Sequence, residues 1–172
     1  ICNTWVFILS AIIDSLYPVI LQSFGQNKKL FERKNRQLYA IVFYVSVSVS
    51  IFFSIFATPI VTILYGDQYL PAASALRVVT WYTAFSYLGV ARNAWIVCYN
   101  RQNYLKYLYV GATITNVIMN ALMIPKGGAT GAAMASLITQ MSTILIFPAC
   151  IKKLRPNVKL MIEAIQLKDT FK

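Results

Sequence analysis

LYAIVFYVSVSVSIFFSIFATPIVTILY, residues 38–65, is the stretch on which the fold turns. Serine alternates with valine at Ser46, Ser48 and Ser50, which imitates a strand for a few residues. The run nevertheless continues for 28 residues without a turn signal. A strand rarely exceeds about 10 residues, whereas a helix needs about 20 apolar residues to cross a bilayer. The segment therefore reads as a membrane-spanning helix, long enough to tilt.

The rest of the chain agrees with that reading. Of 172 residues, 58% are hydrophobic and 12% charged, and the mean hydropathy is +0.60. A soluble domain carries about 25% charged residues. Too few polar residues remain to cover a water-soluble globule of this size. Four further apolar segments are long enough to span: Asn3 to Phe24, Ala72 to Cys98, Tyr104 to Ile124 and Ala129 to Cys150. Pro71 suits the first turn of the third segment, and Pro125 with Gly127 and Gly128 stops the fourth. The expectation is an all-α, polytopic membrane bundle of five transmembrane helices within residues 1–151, followed by a basic tail, 152–172. In the tail, Val158, Met161, Ile162 and Ile165 form an apolar stripe, with Lys159, Glu163 and Lys168 outside it. That spacing predicts a short amphipathic helix lying on the cytoplasmic membrane face.

Sixteen Lys and Arg against five Asp and Glu give a net charge of +11. A nucleic-acid binder would spread such charge over a soluble face. Here eleven of the sixteen cations lie in Lys28–Arg36, Arg101–Lys106 and Lys152–Lys159. The loop Gln26 to Gln37 is rich, the loop at Asp67 poor, the loop at Arg101 rich, the turn at Lys126 poor and the tail rich. The positive-inside rule then places the amino end of the segment outside and the carboxyl end in the cytoplasm. Most of the charge is thus an orientation signal, and nucleic acid is not a partner. The opening stretch lacks the basic amino region of a signal peptide. The chain begins with Ile, which together with an odd number of spans predicts the back portion of a larger protein.

Few residues are suited to chemistry. With no His, and Asp14 the only embedded acid, no triad or carboxylate pair is available, so an enzyme is not expected and no cofactor is implied. Cys2, Cys98 and Cys150 lack metal or redox spacing and read as small buried thiols. Asp14 lies mid-span, where lipid exposure of an acid costs about 2.5–3.5 kcal/mol. It reads as an ion-coupling carboxylate, the counter-charge of a cavity arginine, or a paired acid that locks helices. Arg77 and Arg92 on the third span lie within about 60° of one face and about 22 Å apart along the axis. Arg77 is placed to snorkel. Arg92, beside Asn93, either snorkels or faces a hydrated cavity, where its planar fork of donors suits phosphate. Tyr109, Thr113, Asn116 and Asn120 form a polar stripe that lines an aqueous path or bonds to a neighbouring helix. Gly127, Gly131 and Ala135, beside Gly128, Ala132 and Ser136, are small-residue lines suited to close packing. Tyr65, Tyr69, Tyr99, Tyr104, Tyr107 and Tyr109 near span ends fit an interfacial belt.

Three stretches carry a family resemblance. Leu64-Tyr65-Gly66-Asp67-Gln68-Tyr69-Leu70-Pro71-Ala72-Ala73 resembles the turn L-[FY]-G-x-x-[YF]-x-x-A of the polysaccharide flippases. Asn116 to Ile124, followed by Pro125-Lys126-Gly127-Gly128-Ala129-Thr130-Gly131-Ala132-Ala133-Met134-Ala135-Ser136, resembles their N-x-x-x-N-x-x-x-I-P-x-x-G-x-x-G-A-A-x-A-[ST] signature. Asp14-Ser15-Leu16-Tyr17-Pro18 is similar to their S-L-[FY]-P segment. These proteins belong to the multidrug/oligosaccharidyl-lipid/polysaccharide exporter superfamily. The resemblance implies a two-lobe fold of twelve to fourteen spans in the bacterial cytoplasmic (inner) membrane. The implied activity is alternating-access flipping of undecaprenyl-diphosphate-linked oligosaccharide, such as O-antigen or capsule repeat units. Against that pattern the chain corresponds to the last five spans of a twelve-span member. It lacks the first lobe and one helix of the second. The resemblance implies an anionic substrate drawn to Arg92, with Asn93, Asn116 and Asn120 as further cavity candidates and Arg77 as a weaker one. It makes Asp14 the candidate for a coupling ion or for pairing with Arg92. A drug/cation antiporter of the same superfamily and a non-transporting membrane subunit are the alternatives.

Overall fold

The computed structural model describes residues 5–167. The expectations for Cys2, for the first span's beginning at Asn3, and for Lys168 and the tail's end fall outside the described residues. Helix α1 is Val6–Gln26, α2 Lys28–Tyr65, α3 Pro71–Cys98, α4 Leu105–Met141, α5 Phe147–Cys150 and α6 Arg155–Ile165. Short 3-10 turns, Asp67–Tyr69 and Gln102–Tyr104, flank α3, and a π turn, Ser142–Ile146, links α4 to α5. There is no strand among the described residues.

The Ser/Val alternation resolves into a helical seam. Ser46 and Ser50 are buried, Ser54 and Thr58 follow at the same four-residue spacing, and the exposed Ser48 bonds only to the carbonyl of Tyr44. The seam faces α3. The Ser50 hydroxyl donates to the Thr80 carbonyl (3.0 Å), Trp81 Nε1 to Ser54 Oγ (3.2 Å) and Arg77 Nη2 to Thr58 Oγ1 (3.0 Å). Small hydroxyl residues let the two backbones approach and supply interhelical hydrogen bonds, as membrane helix pairs require.

Helix α4 is a hairpin. Gly128 has φ 51° and ψ −128°, a conformation outside the helical region, and the chain reverses there. A Cβ at Gly131 would collide with the Met123 carbonyl, Asn116 bonds to Thr139, and Gly111 packs on the Phe147 ring. These three pairings share one antiparallel register centred near Gly128. Pro125 and Gly128 together break the helix, and Gly131 lets the arms close.

Two expectations are corrected at the basic end. The stretch Gln26 to Gln37, expected as a loop, is helical from Lys28 onward, leaving Asn27 as the joint. Asn27 accepts from the Lys29 backbone N–H at 2.9 Å, and the Lys, Arg, Glu and Gln that follow are good helix formers. At 38 residues, α2 is about 57 Å long and projects well beyond a bilayer core. The amphipathic helix is present as α6, and Val158 and Met161 of its expected stripe are buried, but the docked face lies to one side of that stripe. Asn157, Leu160, Met161 and Ala164 are buried, whereas Ile162 is exposed and Ile165 half-buried. Asn157 Nδ2 donates to the buried Tyr39 hydroxyl (2.7 Å), Arg36 pairs with Glu163 (2.9 Å), and the Tyr44 hydroxyl donates to the Ile165 carbonyl (2.8 Å). These bonds fix α6 on the amino-terminal half of α2, so it is clamped to the bundle.

Helix α3 packs against α1, α2 and α4 and is the central helix. Among the described residues, three helical stretches are long and apolar enough to cross a membrane: Val6–Gln26, Lys28–Tyr65 and Gln102–Cys150, the last containing both hairpin arms. Phe52, Ile55, Phe56, Ile63, Val117 and Leu122 are among many large apolar side chains on the exterior. A surface of that kind is stable only under lipid or another protein. The protein is an all-α membrane helix bundle.

Candidate functional site

Arg92 stands on the central helix and is 3% exposed, so it neither snorkels nor meets open solvent here. Its Nη1 donates to the Thr143 carbonyl at 3.2 Å. That acceptor is free for a local reason. In the π turn, the Phe147 N–H closes onto the Ser142 carbonyl, five residues back. The next bond of that register would join residue 148 to the Thr143 carbonyl, but Pro148 has no N–H. Arg92 supplies the missing donor. Its Nε is buried without a partner. The ion pairs among the described residues are Arg36–Glu163 and Lys159–Glu163, so no carboxylate among them pairs with Arg92. A buried guanidinium without a counter-charge is costly, and removing it from water is tolerated only where something else compensates.

The stripe on α4 joins this arginine through two residues that sequence reasoning missed. Asn120 Nδ2 donates to Asn116 Oδ1 (2.8 Å), and Asn116 Nδ2 to Thr139 Oγ1 (3.5 Å). The Thr143 hydroxyl then donates to the Thr139 carbonyl (2.7 Å), and Arg92 completes the chain. Thr139 and Thr143 stand four residues apart on the second hairpin arm, and that i, i+4 spacing was their available signal. Arg92, Asn116 and Asn120 thus belong to one polar network. Asn93 lies beside it in sequence, half-buried, with Oδ1 buried and unpartnered. Tyr109 and Thr113 remain exposed on the first arm, Thr113 bonding only to the Tyr109 carbonyl (2.9 Å).

Asp14 and Arg77 stand outside the network. Arg77 is exposed and tied to Thr58. The expected pairing of Asp14 with Arg92 is not found. Leu9, Ile13 and Ile20 form the buried face of α1, which turns Asp14 outward, while Arg92 points inward to the π turn. Asp14 shares its exposed face with Ala11, Ser15, Pro18 and Gln22, and with the large apolar side chains of Phe7 and Leu21. The thiols also differ from expectation: Cys98 is half-buried and Cys150 exposed, because both sit at helix ends.

At the basic end, the three cation-rich segments meet around a second feature. A cavity of about 340 Å³ is lined by Lys28, Arg36, Arg101 and Lys159, with Glu32, Glu163, Trp95 and Tyr99. Arg101 is aimed by the end of α3. Asn100 adopts φ 51°, its N–H bonds to the Val97 carbonyl, and the Arg101 N–H bonds to the Ile96 carbonyl. This Schellman ending folds Arg101 back over α3. Its guanidinium carbon lies 5.1 Å from the ring centres of both Trp95 and Tyr99.

Comparison with known proteins places the chain among membrane proteins and no further. Over 101 residues it is 33% identical to an uncharacterized membrane protein of Methanocaldococcus jannaschii. The match covers 58% of this chain and 19% of that relative, so the chain spans far less than the relative's length. No family model matches, and no solved structure matches. Together with the apolar helices, the match identifies the chain as a membrane protein.

Proposed function

We propose that this bundle is part of a membrane transporter that flips a lipid-linked oligosaccharide across the cytoplasmic membrane by alternating access. The observation that carries this reading is the uncompensated guanidinium of Arg92. It heads a polar network between α3 and the arms of the α4 hairpin, next to a π turn. A diphosphate is the anion such a fork of donors binds best, and π turns are frequent at functional positions. In the outward- or inward-open state, movement of the arm after Gly128 uncovers Arg92 to the substrate diphosphate. The lipid tail stays in the bilayer.

The three stretches that resemble polysaccharide flippases support this by their placement. One makes the α2–α3 turn through Gly66, one makes the α4 hairpin, and one carries Asp14 on the outer face of α1. That face of α1, apolar around a single carboxylate, meets the remaining helices of the transporter, including its first lobe. The cation-rich end, with the carboxyl terminus, is cytoplasmic. Asp14 couples transport to an ion.

The test is flipping of the lipid-linked oligosaccharide by the full-length protein in proteoliposomes. Arg92→Gln is expected to reduce flipping by about tenfold or more, the loss of a charge-assisted contact. Flipping at the wild-type rate would overturn the substrate role. Asp14→Asn is expected to abolish dependence on the ion gradient, and undiminished coupling would remove that assignment. The exposed carboxylate of Asp14 favours a second reading, a drug/cation antiporter. Gradient-driven efflux of a cationic dye, lost in Asp14→Asn and unchanged in Arg92→Gln, would select it.

A further inference from the structure

We propose that the cavity between the amino-terminal turns of α2, the end of α3 and α6 is a binding site for a phosphate-bearing anion. It lies apart from Arg92 and does not depend on the transport reading. Four cations line it, Lys28, Arg36, Arg101 and Lys159, against two carboxylates, Glu32 and Glu163. Glu163 is already engaged by Arg36 (2.9 Å) and approached by Lys159 (3.9 Å), which leaves Lys28 and Arg101 without an acid partner among the described residues. Two guanidinium donors of the lining residues, Arg36 Nε and Arg101 Nη1, are buried and unpartnered. Buried N–H donors normally find an acceptor, so these two lining residues retain hydrogen-bonding capacity suited to an anion with several oxygens. Arg101 is held by Trp95 and Tyr99 on one side and by the Schellman ending on the other, so its fork is fixed before any ligand arrives. The volume, about 340 Å³, is at the small end of the range for ligand pockets, about 300–1,000 Å³. It suits a phosphate or diphosphate group, either on a lipid headgroup or on a soluble compound.

Trp95 in the lining supplies the readout. The full-length protein in neutral-lipid nanodiscs is titrated with inorganic pyrophosphate while tryptophan fluorescence is followed. A parallel set of nanodiscs replaces part of the phosphatidylcholine with phosphatidic acid. A saturable change with pyrophosphate identifies a soluble source. A change with phosphatidic acid alone identifies a headgroup, and either supports the site. Arg101→Gln is expected to weaken the response about tenfold. Lys28→Gln, at an exposed position that tolerates change, is expected to weaken it severalfold. Lys126→Gln, at the opposite hairpin turn, is expected to leave it unchanged. No response to either probe by folded wild-type protein would overturn the proposal. So would equal weakening by Lys28→Gln and Lys126→Gln, which would mark diffuse attraction to a basic protein.

Discussion

Arg92 occupies a position where stability and the proposed function pull in opposite directions. Its single visible protein bond, to the Thr143 carbonyl, is set against the cost of a buried charge with no counter-ion. Removing an unpaired buried charge relieves its desolvation cost of several kcal/mol, which outweighs the penalty of about 1–3 kcal/mol for leaving the Thr143 carbonyl without a donor. Arg92→Met is therefore expected to melt at or above the wild-type temperature in detergent, even while flipping by the full-length protein is lost. A fall of several degrees with flipping retained would make Arg92 a clasp for the π turn. The sequence made Arg92 legible as an embedded cation. Its burial was not legible, because that depends on α3 being central and on the acceptor that Pro148 leaves free. Asp14 was legible as costly but not as outward-facing, since its face on α1 is fixed by Leu9, Ile13 and Ile20 packing inward.

Elements were read better than their faces. The helices over the apolar segments were legible from their length, and the Pro125–Gly128 break from its turn residues. The docked face of α6 was read only in part, at Val158 and Met161, because its apolar residues cover two overlapping stripes. Asn157, a polar residue, marks the buried one through its bond to Tyr39. The helical entry into α2 was missed because charge suggested a loop, although charged residues with long side chains are good helix formers. The hairpin gives a pointed contrast between adjacent glycines. Gly128 holds φ 51° and ψ −128°, so Gly128→Ala is expected to destabilise by about 1–3 kcal/mol. Gly127 has ordinary backbone and open space at its Cβ, so Gly127→Ala is expected to be neutral or to stabilise by up to about 1 kcal/mol. Thermal melts of the two variants check this. Gly131→Val meets the Met123 carbonyl and is expected to prevent the arms from closing, read as loss of folded, monodisperse protein in detergent.

At the scale of the whole molecule, the charge alternation and the bundle describe the same object. Lys28, Arg101 and Lys159 come from three separate basic segments and line one cavity, so these segments share one end. Asp67 and Lys126 lie in the intervening turns, by the α2–α3 junction and the hairpin. Hydropathy alone merges the two hairpin arms and passes over α3, whose arginines dilute its apolar character. Helix α3 nevertheless packs against α1, α2 and α4, each of which lies in a stretch long and apolar enough to cross. The most direct measurement is sidedness labelling of single cysteines, with Cys2, Cys98 and Cys150 replaced by serine, in intact cells. Asp67→Cys and Lys126→Cys are predicted to react with a membrane-impermeant maleimide from outside. Arg101→Cys and Lys153→Cys are predicted to react only after permeabilisation. Labelling of residues 67 and 101 from the same side would show that α3 does not cross, and labelling of 101 and 126 from the same side would contradict the hairpin as two spans.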